Sequence, residues 1–169
     1  MLQAAVAVGD EEGLTGMSVR RVADRLGVTP MALYRHVGGK DDLLDGVADA
    51  LYGELDLPRA GDDWWQALVR LARSVRRVLL AHSWSLPLFS RPLAGPHSLA
   101  LDQALRSTLL AAGFTRRETD ELHDQLAGMV LALVTPELHG RARRASFERG
   151  LELLHAGLEA RLASRAGSG

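Results

Sequence analysis

The sequence predicts an all-α protein with an N-terminal three-helix unit followed by a C-terminal helical domain. Apolar residues recur at helical spacing along most of the chain, and no segment shows the alternation of a half-buried strand. Turn residues separate the periodic segments, notably at Gly27, at Gly38–Gly39 and at Pro58. We therefore predict an N-terminal domain over residues 1–54 and a C-terminal domain over residues 55–169.

The composition is that of an ordinary globular protein. The chain has 169 residues, of which 47% are hydrophobic and 24% charged, and its formal net charge is -1. Cysteine is absent, which excludes disulfides and thiolate metal sites. No apolar run reaches bilayer length and no signal peptide is visible, so we expect a cytoplasmic protein without membrane contact. Because Met1 falls inside the first predicted helix, we expect an upstream arm to be missing.

The most informative segment predicts two short helices joined by a tight turn, within residues 18–40. One side of the first helix is apolar through four residues, Val19, Val22, Ala23 and Leu26. Gly27 can adopt the left-handed conformation that ends a helix. Thr29 can cap the next helix, and Pro30 suits its first turn. This pattern is typical of a helix-turn-helix.

The second short helix has two faces of different chemistry. Leu33 and Val37 point inward in this prediction. The outward residues are Thr29, Met31, Ala32, Tyr34, Arg35 and His36. A helix that reads the major groove needs one buried and one presented face. For Tyr34 the alternative is a core aromatic ring with its hydroxyl outward.

Local charge favours nucleic acid as the partner. The basic residues of this segment are Arg20, Arg21, Arg25, Arg35 and Lys40. Its only acid is Asp24. Positive charge is thus concentrated where a phosphate backbone would lie. The alternative is a solvated helix face, but the turn and the Thr-Pro helix start favour DNA.

The next helix links this unit to the rest of the chain. It begins at Lys40 with acids in its first turn, where the helix dipole favours them, and it ends before Pro58. Its apolar positions are Leu43, Leu44, Val47, Ala50 and Leu51. We predict that it acts as a hinge between the two domains.

Four further helices follow in the C-terminal domain. The first runs from Trp64 to about Ala81, and the segment from Ser83 to Gly95 is irregular or a short helix. Another helix begins at Pro96 and stops at Gly113. A capping box at Thr115–Glu118 opens the next one. The last helix carries the stripe Phe147, Leu151, Leu154, Leu158 and Leu162.

The last two helices are candidates for dimerisation. The penultimate helix adds small residues, Ala127, Gly128 and Ala132, that allow close approach. Either the pair closes its own core, or it meets a second copy as a four-helix bundle. A helix-turn-helix usually binds two half-sites as a dimer. We therefore predict a homodimer formed through these helices on a palindromic double-stranded DNA operator.

The chain resembles the tetracycline-repressor (TetR) family. The elements L-G-V, L-Y-x-H-V and K-x-x-L-L between Leu26 and Leu44 are specific in combination. Trp64–Gln66, the V-L-L-A-H ending at His82, Ser90–Pro92 and Ala112–Phe114 resemble the effector domain of the tetracycline-repressor branch. The resemblance implies a homodimeric repressor that leaves its operator when a small molecule binds.

The resemblance also implies roles for individual residues. Arg20 and Arg35, with the start of the reading helix from Thr29 to Ala32 (including Pro30 and Met31), would face bases. Phosphate contacts would come from Ser18, Tyr34, His36 and Lys40. Arginine can bind guanine with two hydrogen bonds, and alanine or methionine can pack on a thymine methyl group.

We place the effector site mainly in the segment after the first C-terminal helix. The predicted effector-binding residues are His82, Trp84, Leu88, Phe89, Ser90, Arg91, His97, Leu101, Gln125 and Met129. A pocket of this kind is mostly apolar with a few polar groups. The alternative is that the aromatic and leucine residues form the core.

Two departures from tetracycline-binding members change the expected ligand. The histidine that ligates magnesium in those members is matched here by Pro87, and a polar contact residue is matched by Leu71. We therefore expect no metal and no cofactor, and an apolar or aromatic effector.

Other functional classes are disfavoured. Asp120-x-x-His123 and Glu152-x-x-His155 have the spacing of di-iron bundles, but the inward stripes are leucine and valine, which favours surface ion pairs. No hydrolase, zinc-protease or phosphate-loop motif occurs, so we expect no enzyme. The remaining alternative is a small-molecule-binding helical protein whose DNA-binding unit is vestigial.

Overall fold

The computed structural model describes residues 1–92 and 94–166, and within these ranges the chain forms helices and no strand. A 3₁₀ helix over Ser83–Ser90 lies between α5 and α6. The α-helices are α1 (Leu2–Gly16), α2 (Val19–Leu26), α3 (Pro30–Tyr34), α4 (Lys40–Tyr52), α5 (Trp64–Ala81), α6 (Pro96–Ala111), α7 (Arg116–Leu138) and α8 (Arg144–Ala166). No helix in the described ranges has the length and apolarity to cross a membrane. The all-α prediction is confirmed.

Local chemistry sets the turn between α2 and α3, as predicted. The Ser18 hydroxyl oxygen accepts a hydrogen bond from the Arg21 backbone N–H at 3.2 Å and so caps α2. Gly27 ends α2 with φ 67°, in the left-handed region where glycine is favoured. The Thr29 hydroxyl caps α3 through the Ala32 N–H, and Pro30 is the first residue of α3. These caps fix the two helices relative to each other.

α1 kinks at Gly13, whose φ of 71° is non-helical, and it ends at Gly16. Two details of the other N-terminal helices differ from the sequence-based expectation. Leu26 is 40% exposed, so its predicted inward position is wrong. Leu26 is the last residue of α2, and the chain turns away at Gly27, so its side chain lies past the packed part of the helix. Ala50 is half-buried rather than buried.

The described residues divide into two compact units. Met1–Leu55 packs with the described part of Val78–Leu101, and Asp56–Arg77 packs with the described residues from Asp102 onward. The C-terminal end of α5, the 3₁₀ helix and the start of α6 therefore belong with the N-terminal helices. The domain limits of 1–54 and 55–169 stay a prediction from the sequence.

Unit 1, as we call the first of these, is held by an apolar core between its helices. Fully buried side chains include Met17, Val22, Leu43, Val47 and Leu51. The inward side chains of α2 and α4 pack in this core, and the polar residues of these helices lie on the opposite faces.

Unit 2, the second, contains an apolar cluster formed by α5, α6, α7 and α8. Its buried members are Leu68, Leu105, Leu109, Phe114, Leu122 and Leu158. The predicted capping box at the start of α7 is confirmed, since Thr115 and Glu118 bond reciprocally. Arg76 and Glu137 form a part-buried ion pair between α5 and α7. Because the two charges compensate each other, neither is left unpaired between the helices.

Candidate DNA interface and effector segment

The outward face of α3 is presented to solvent within unit 1. Met31 is 73% exposed, and Tyr34 is 52% exposed, so the Tyr34 ring is not a core aromatic. Arg35 and His36 are exposed as well. The inward residue Leu33 is buried, as predicted, and so is Val37 just after the helix. The structure thus places α3, followed directly by Arg35, on the surface with its apolar side anchored.

Three predicted DNA contacts meet at one surface concavity of about 590 Å³. Ser18, Arg20 and Lys40 are among its lining residues, although they belong to α2 and its cap and to the start of α4. The complete lining is Glu12, Thr15, Gly16, Met17, Ser18, Arg20, Arg21, Asp24 and Lys40. We call this surface the α1–α2 concavity. The Ser18 hydroxyl and three cations, Arg20, Arg21 and Lys40, line it together with the carboxylates of Glu12 and Asp24, so its positive charges can hold an anionic strand.

The sequence-based count of positive charge overestimates what α2 presents to DNA. Arg21 Nε lies 3.0 Å from Glu12 Oε2, and Arg25 Nη1 lies 2.6 Å from Glu11 Oε2. The hydrogen bond from Arg25 holds the pKa of Glu11 below its usual range, and the reciprocal bond raises the pKa of Arg25. Both arginines are therefore engaged by carboxylates of α1, which the sequence segment 18–40 does not contain.

One face of α4 contacts the chain that follows the 3₁₀ helix. Arg91 Nε lies 2.5 Å from Asp45 Oδ1. One turn along α4, Asp49 Oδ1 accepts a hydrogen bond from the Ser98 backbone N–H at 2.8 Å. The Tyr52 ring then packs on Phe89 with ring centroids 5.0 Å apart. These contacts tie the predicted hinge helix to the predicted effector segment.

The other end of the effector segment contacts α1. His82 Nδ1 lies 2.6 Å from Asp10 Oδ1, and the Trp84 indole N–H donates to the same oxygen at 2.7 Å. The Trp84 ring covers Gly9, where an added Cβ would lie 2.3 Å from a ring atom. His82 and Trp84 thus meet at one carboxylate of the first helix.

The remaining predicted effector residues occupy different environments. Leu88 is buried, and Leu101 is half-buried. Ser90 is exposed, and the His97 ring lies against Gly53 at the end of α4. All eight predicted residues from His82 to Leu101 lie in unit 1, whereas Gln125 and Met129 lie in unit 2 on the exposed side of α7. Their role in effector binding stays a prediction.

Leu71, which the sequence resemblance places at a polar contact position of tetracycline-binding members, is buried at 8% exposure. The histidines discussed as metal ligands are engaged in ion pairs: His123 Nε2 lies 3.0 Å from Asp102 Oδ1, and His155 Nε2 lies 3.1 Å from Glu159 Oε1. In the part of the chain that the structure describes, no three His, Asp or Glu side chains are grouped as metal ligands.

A small-residue and apolar surface lies exposed on α7 and α8. Met129 is 43% exposed on α7, and Leu153 is 76% exposed on α8. At Gly128 and Gly157 no atom of the described residues lies within 4 Å of where a Cβ would be. The exposed small neighbours are Ala127, Ala132, Ala156 and Ala160. We call this the α7–α8 surface.

Sequence reasoning missed five carboxylates that organise unit 1: Asp10, Glu11, Glu12, Asp45 and Asp49. The signal for two of them was available, because Asp45 and Asp49 lie four residues apart with Tyr52 three residues further, on one face of α4. No local signal identifies Asp10, Glu11 or Glu12, since their partners are distant in sequence.

The three short N-terminal helices, with α3 anchored on one face and exposed on the other, define a helix-turn-helix DNA-binding unit. Two family models match the chain. The model described as "Bacterial regulatory proteins, tetR family" matches residues 1–47, and the model described as "Tetracyclin repressor-like, C-terminal domain" matches residues 57–144. The chain therefore belongs to the TetR family of bacterial regulatory proteins.

Known relatives agree with this assignment. An HTH-type transcriptional regulator of Saccharopolyspora erythraea is 39% identical over 139 residues, which cover 81% of this chain and 59% of the relative. The chain thus spans little more than half the length of that curated relative. ActR of Streptomyces coelicolor in complex with actinorhodin superposes with a TM-score of 0.80 at 26% identity, covering 94% of this chain and 93% of ActR. BioQ with its natural double-stranded DNA operator superposes with a TM-score of 0.77 at 29% identity, covering 94% of this chain and 95% of BioQ.

Proposed function

We propose that this protein is a ligand-responsive DNA-binding transcriptional repressor that acts as a homodimer on a palindromic operator. The observation that carries the proposal is the exposed face of α3, with Arg35, Met31 and Tyr34 uncovered and Leu33 anchoring the helix. BioQ, which shares this fold, binds a double-stranded DNA operator. A regulator of this kind acts where the chromosome lies, so the proposal includes a cytoplasmic location and no enzymatic activity.

The division of labour at the interface follows from side-chain chemistry. Arg35 and Arg20 would read base edges, because a guanidinium can donate two hydrogen bonds to guanine. Met31 and Ala32 would pack on thymine methyl groups. Ser18 and Lys40, which line the α1–α2 concavity, would hold phosphates and set the register without specifying sequence.

Dimerisation through the α7–α8 surface supplies the second half-site. Exposed Leu153 and Met129 form an apolar face whose burial away from water is favourable. The glycine and alanine residues beside them allow a second helix pair to approach closely. Two reading helices about one helical turn of DNA apart then bind together, which multiplies the affinity.

The effector would be an apolar or aromatic small molecule. By the sequence resemblance, Leu71 and Pro87 stand where tetracycline-binding members have polar residues, and ActR, a relative in fold, binds actinorhodin. Binding would displace the segment around the 3₁₀ helix. Since Asp45 and Asp49 tie α4 to Arg91 and Ser98 within unit 1, that displacement would move α4 and change the separation of the two α3 helices.

The test is DNA selection followed by binding measurements. The purified protein is used to enrich duplexes from a random pool, and affinity for the enriched duplex is compared with that for a scrambled duplex at several salt concentrations. We expect a palindromic consensus, and a loss of roughly 1–3 kcal/mol of specific binding in Arg35→Ala. The matched control is Arg117→Ala, which removes an arginine with a side chain 89% exposed in unit 2.

Two results would contradict the proposal. If the enriched duplexes share no consensus sequence, the favoured interpretation is a small-molecule-binding protein whose DNA-binding unit is vestigial. An Arg35→Ala protein that binds the enriched duplex as tightly as the original protein would remove Arg35 as a base reader.

A further inference from the structure

We infer that Glu12 restrains DNA binding from within the interface, because its carboxylate occupies the Arg21 guanidinium that a DNA phosphate would otherwise take. The inference rests on the proposed function and deepens it. It identifies a residue of α1 that sets affinity without touching DNA.

The two side chains of this pair open onto the same surface as two predicted phosphate contacts. Glu12 and Arg21 both line the α1–α2 concavity, beside Ser18 and Lys40, and Asp24 also lines it. Arg21 Nε donates to Glu12 Oε2 at 3.0 Å. A phosphate that reached Ser18 and Lys40 in this concavity would therefore meet an arginine that is already hydrogen-bonded to a carboxylate.

The backbone of α1 directs Glu12 toward this position. The helix kinks at Gly13, directly after Glu12. Gly16 lies so close that an added Cβ would be 2.5 Å from the Glu12 Cβ and 3.0 Å from its Oε2. Only the absence of a side chain at position 16 lets the glutamate lie along this wall of the concavity.

Arg21 can exchange the Glu12 carboxylate for a DNA phosphate because this ion pair is exposed to solvent. The Arg21 side chain is 57% exposed and that of Glu12 33% exposed. Ion pairs in such positions are weak, since water and salt screen them. A DNA phosphate brings a higher density of negative charge and releases counterions, so it competes well for the same guanidinium. Glu12 adds repulsion, because its own charge faces the incoming strand.

Glu11 provides a matched control on the same helix. It pairs with Arg25 at 2.6 Å, but neither Glu11 nor Arg25 belongs to the lining of the α1–α2 concavity. Substitution of Glu11 by glutamine changes the net charge by the same amount as substitution of Glu12. A difference between the two variants therefore reports position rather than total charge.

The experiment measures affinity by fluorescence anisotropy for two duplexes of equal length, the enriched sequence and a scrambled one, over a range of salt concentrations. We expect Glu12→Gln to raise affinity for both duplexes by about three- to ten-fold at low salt and to steepen the dependence of log K on log [salt] by about one. Glu11→Gln should change affinity less than two-fold, by roughly the effect of one distant charge. Thermal unfolding of each variant verifies that the fold is kept.

A double-mutant cycle then tests whether Arg21 carries the effect. In the Arg21→Ala background the gain from Glu12→Gln should fall to the small gain expected from removed repulsion alone. Unchanged or weaker binding by Glu12→Gln would overturn the inference, and so would a gain that is equally large without Arg21. These outcomes remain readable on the scrambled duplex even when no sequence is preferred. Failure of the proposed function, by contrast, would appear as the absence of a consensus with the unsubstituted protein.

Discussion

Asp49 caps the start of α6: its Oδ1 accepts a hydrogen bond from the Ser98 backbone N–H at 2.8 Å. Gly95 permits this approach, since a Cβ there would lie 2.1 Å from the Asp49 Cγ. A carboxylate at a helix N-terminus satisfies a free N–H group and also interacts favourably with the helix dipole. One residue of α4 therefore caps the first turn of α6.

Loss of this cap should destabilise the protein. We expect Asp49→Ala to lower the free energy of unfolding by about 1 kcal/mol, because the Ser98 N–H loses its acceptor. Asp49→Asn keeps an acceptor oxygen and should cost less. Urea unfolding followed by circular dichroism measures both variants. Equal losses for alanine and asparagine would show that the charge, rather than the hydrogen bond, provides the stabilisation.

Gly9 should not tolerate a side chain, although it lies within a helix. Alanine usually stabilises a helix by up to about 1 kcal/mol relative to glycine. At Gly9, however, a Cβ would lie 2.3 Å from the Trp84 ring, and the displaced ring would lose its hydrogen bond to Asp10. We expect Gly9→Ala to destabilise the protein by about 1–3 kcal/mol, as overpacking does.

The control for this substitution keeps Gly9→Ala and removes the ring that the new Cβ would meet. Replacing Trp84 by leucine in the Gly9→Ala background should recover part of the loss, because the smaller side chain makes room. If Gly9→Ala were as stable as the unsubstituted protein in chemical unfolding, the close packing of Trp84 on α1 would be disproved.

The α7–α8 surface should be required for dimerisation. Leu153 is 76% exposed on this surface, so Leu153→Glu places a charge in the proposed interface without disturbing the core. We expect the mass measured by light scattering after size exclusion to fall from dimer to monomer. Leu110→Glu, at a leucine 44% exposed on α6, is the matched control and should stay dimeric. A dimeric Leu153→Glu protein, or an unsubstituted protein that is monomeric at every concentration, would disprove this interface.

Ionisation of Tyr52 should make the free energy of unfolding depend on pH in the alkaline range. Burial raises the pKa of Tyr52 to about 12, whereas tyrosine in an unfolded chain titrates near about 10. Between these values the folded state retains a proton that the unfolded state has lost. The contribution of Tyr52 to stability is therefore complete below about pH 10 and is lost as the pH rises toward about 12.

The measurement compares unfolding free energies of the unsubstituted protein and Tyr52→Phe from about pH 9 upward. Phenylalanine cannot ionise, so the stability difference between the two proteins should shift in favour of Tyr52→Phe as pH increases. Tyr34→Phe, at a ring 52% exposed on α3, is the control. A pH-independent difference between the unsubstituted protein and Tyr52→Phe would show that the Tyr52 hydroxyl does not ionise differently in the folded state.

The helix-turn-helix could be predicted well from the sequence because its structural determinants are local. The caps at Ser18 and Thr29, the left-handed Gly27 and the inward Leu33 each act within four residues along the chain. The capping box of α7 belongs to the same class. Leu26 shows the limit of this reasoning, since periodicity assigns a face but does not tell where the packing partner ends.

By itself the sequence determined the helical class, the turn that presents α3 and the family of the chain. Tertiary structure decided which charges remain available there, because Glu11 and Glu12 reach arginines nine or more residues away. It also decided that α4 contacts the segment from Phe89 to Ser98, and that His82 and Trp84 share the carboxylate of Asp10. The physical reason is the range of the forces: helix capping and periodicity act between neighbours in the chain, whereas ion pairs and ring packing depend on which distant segments the fold brings together.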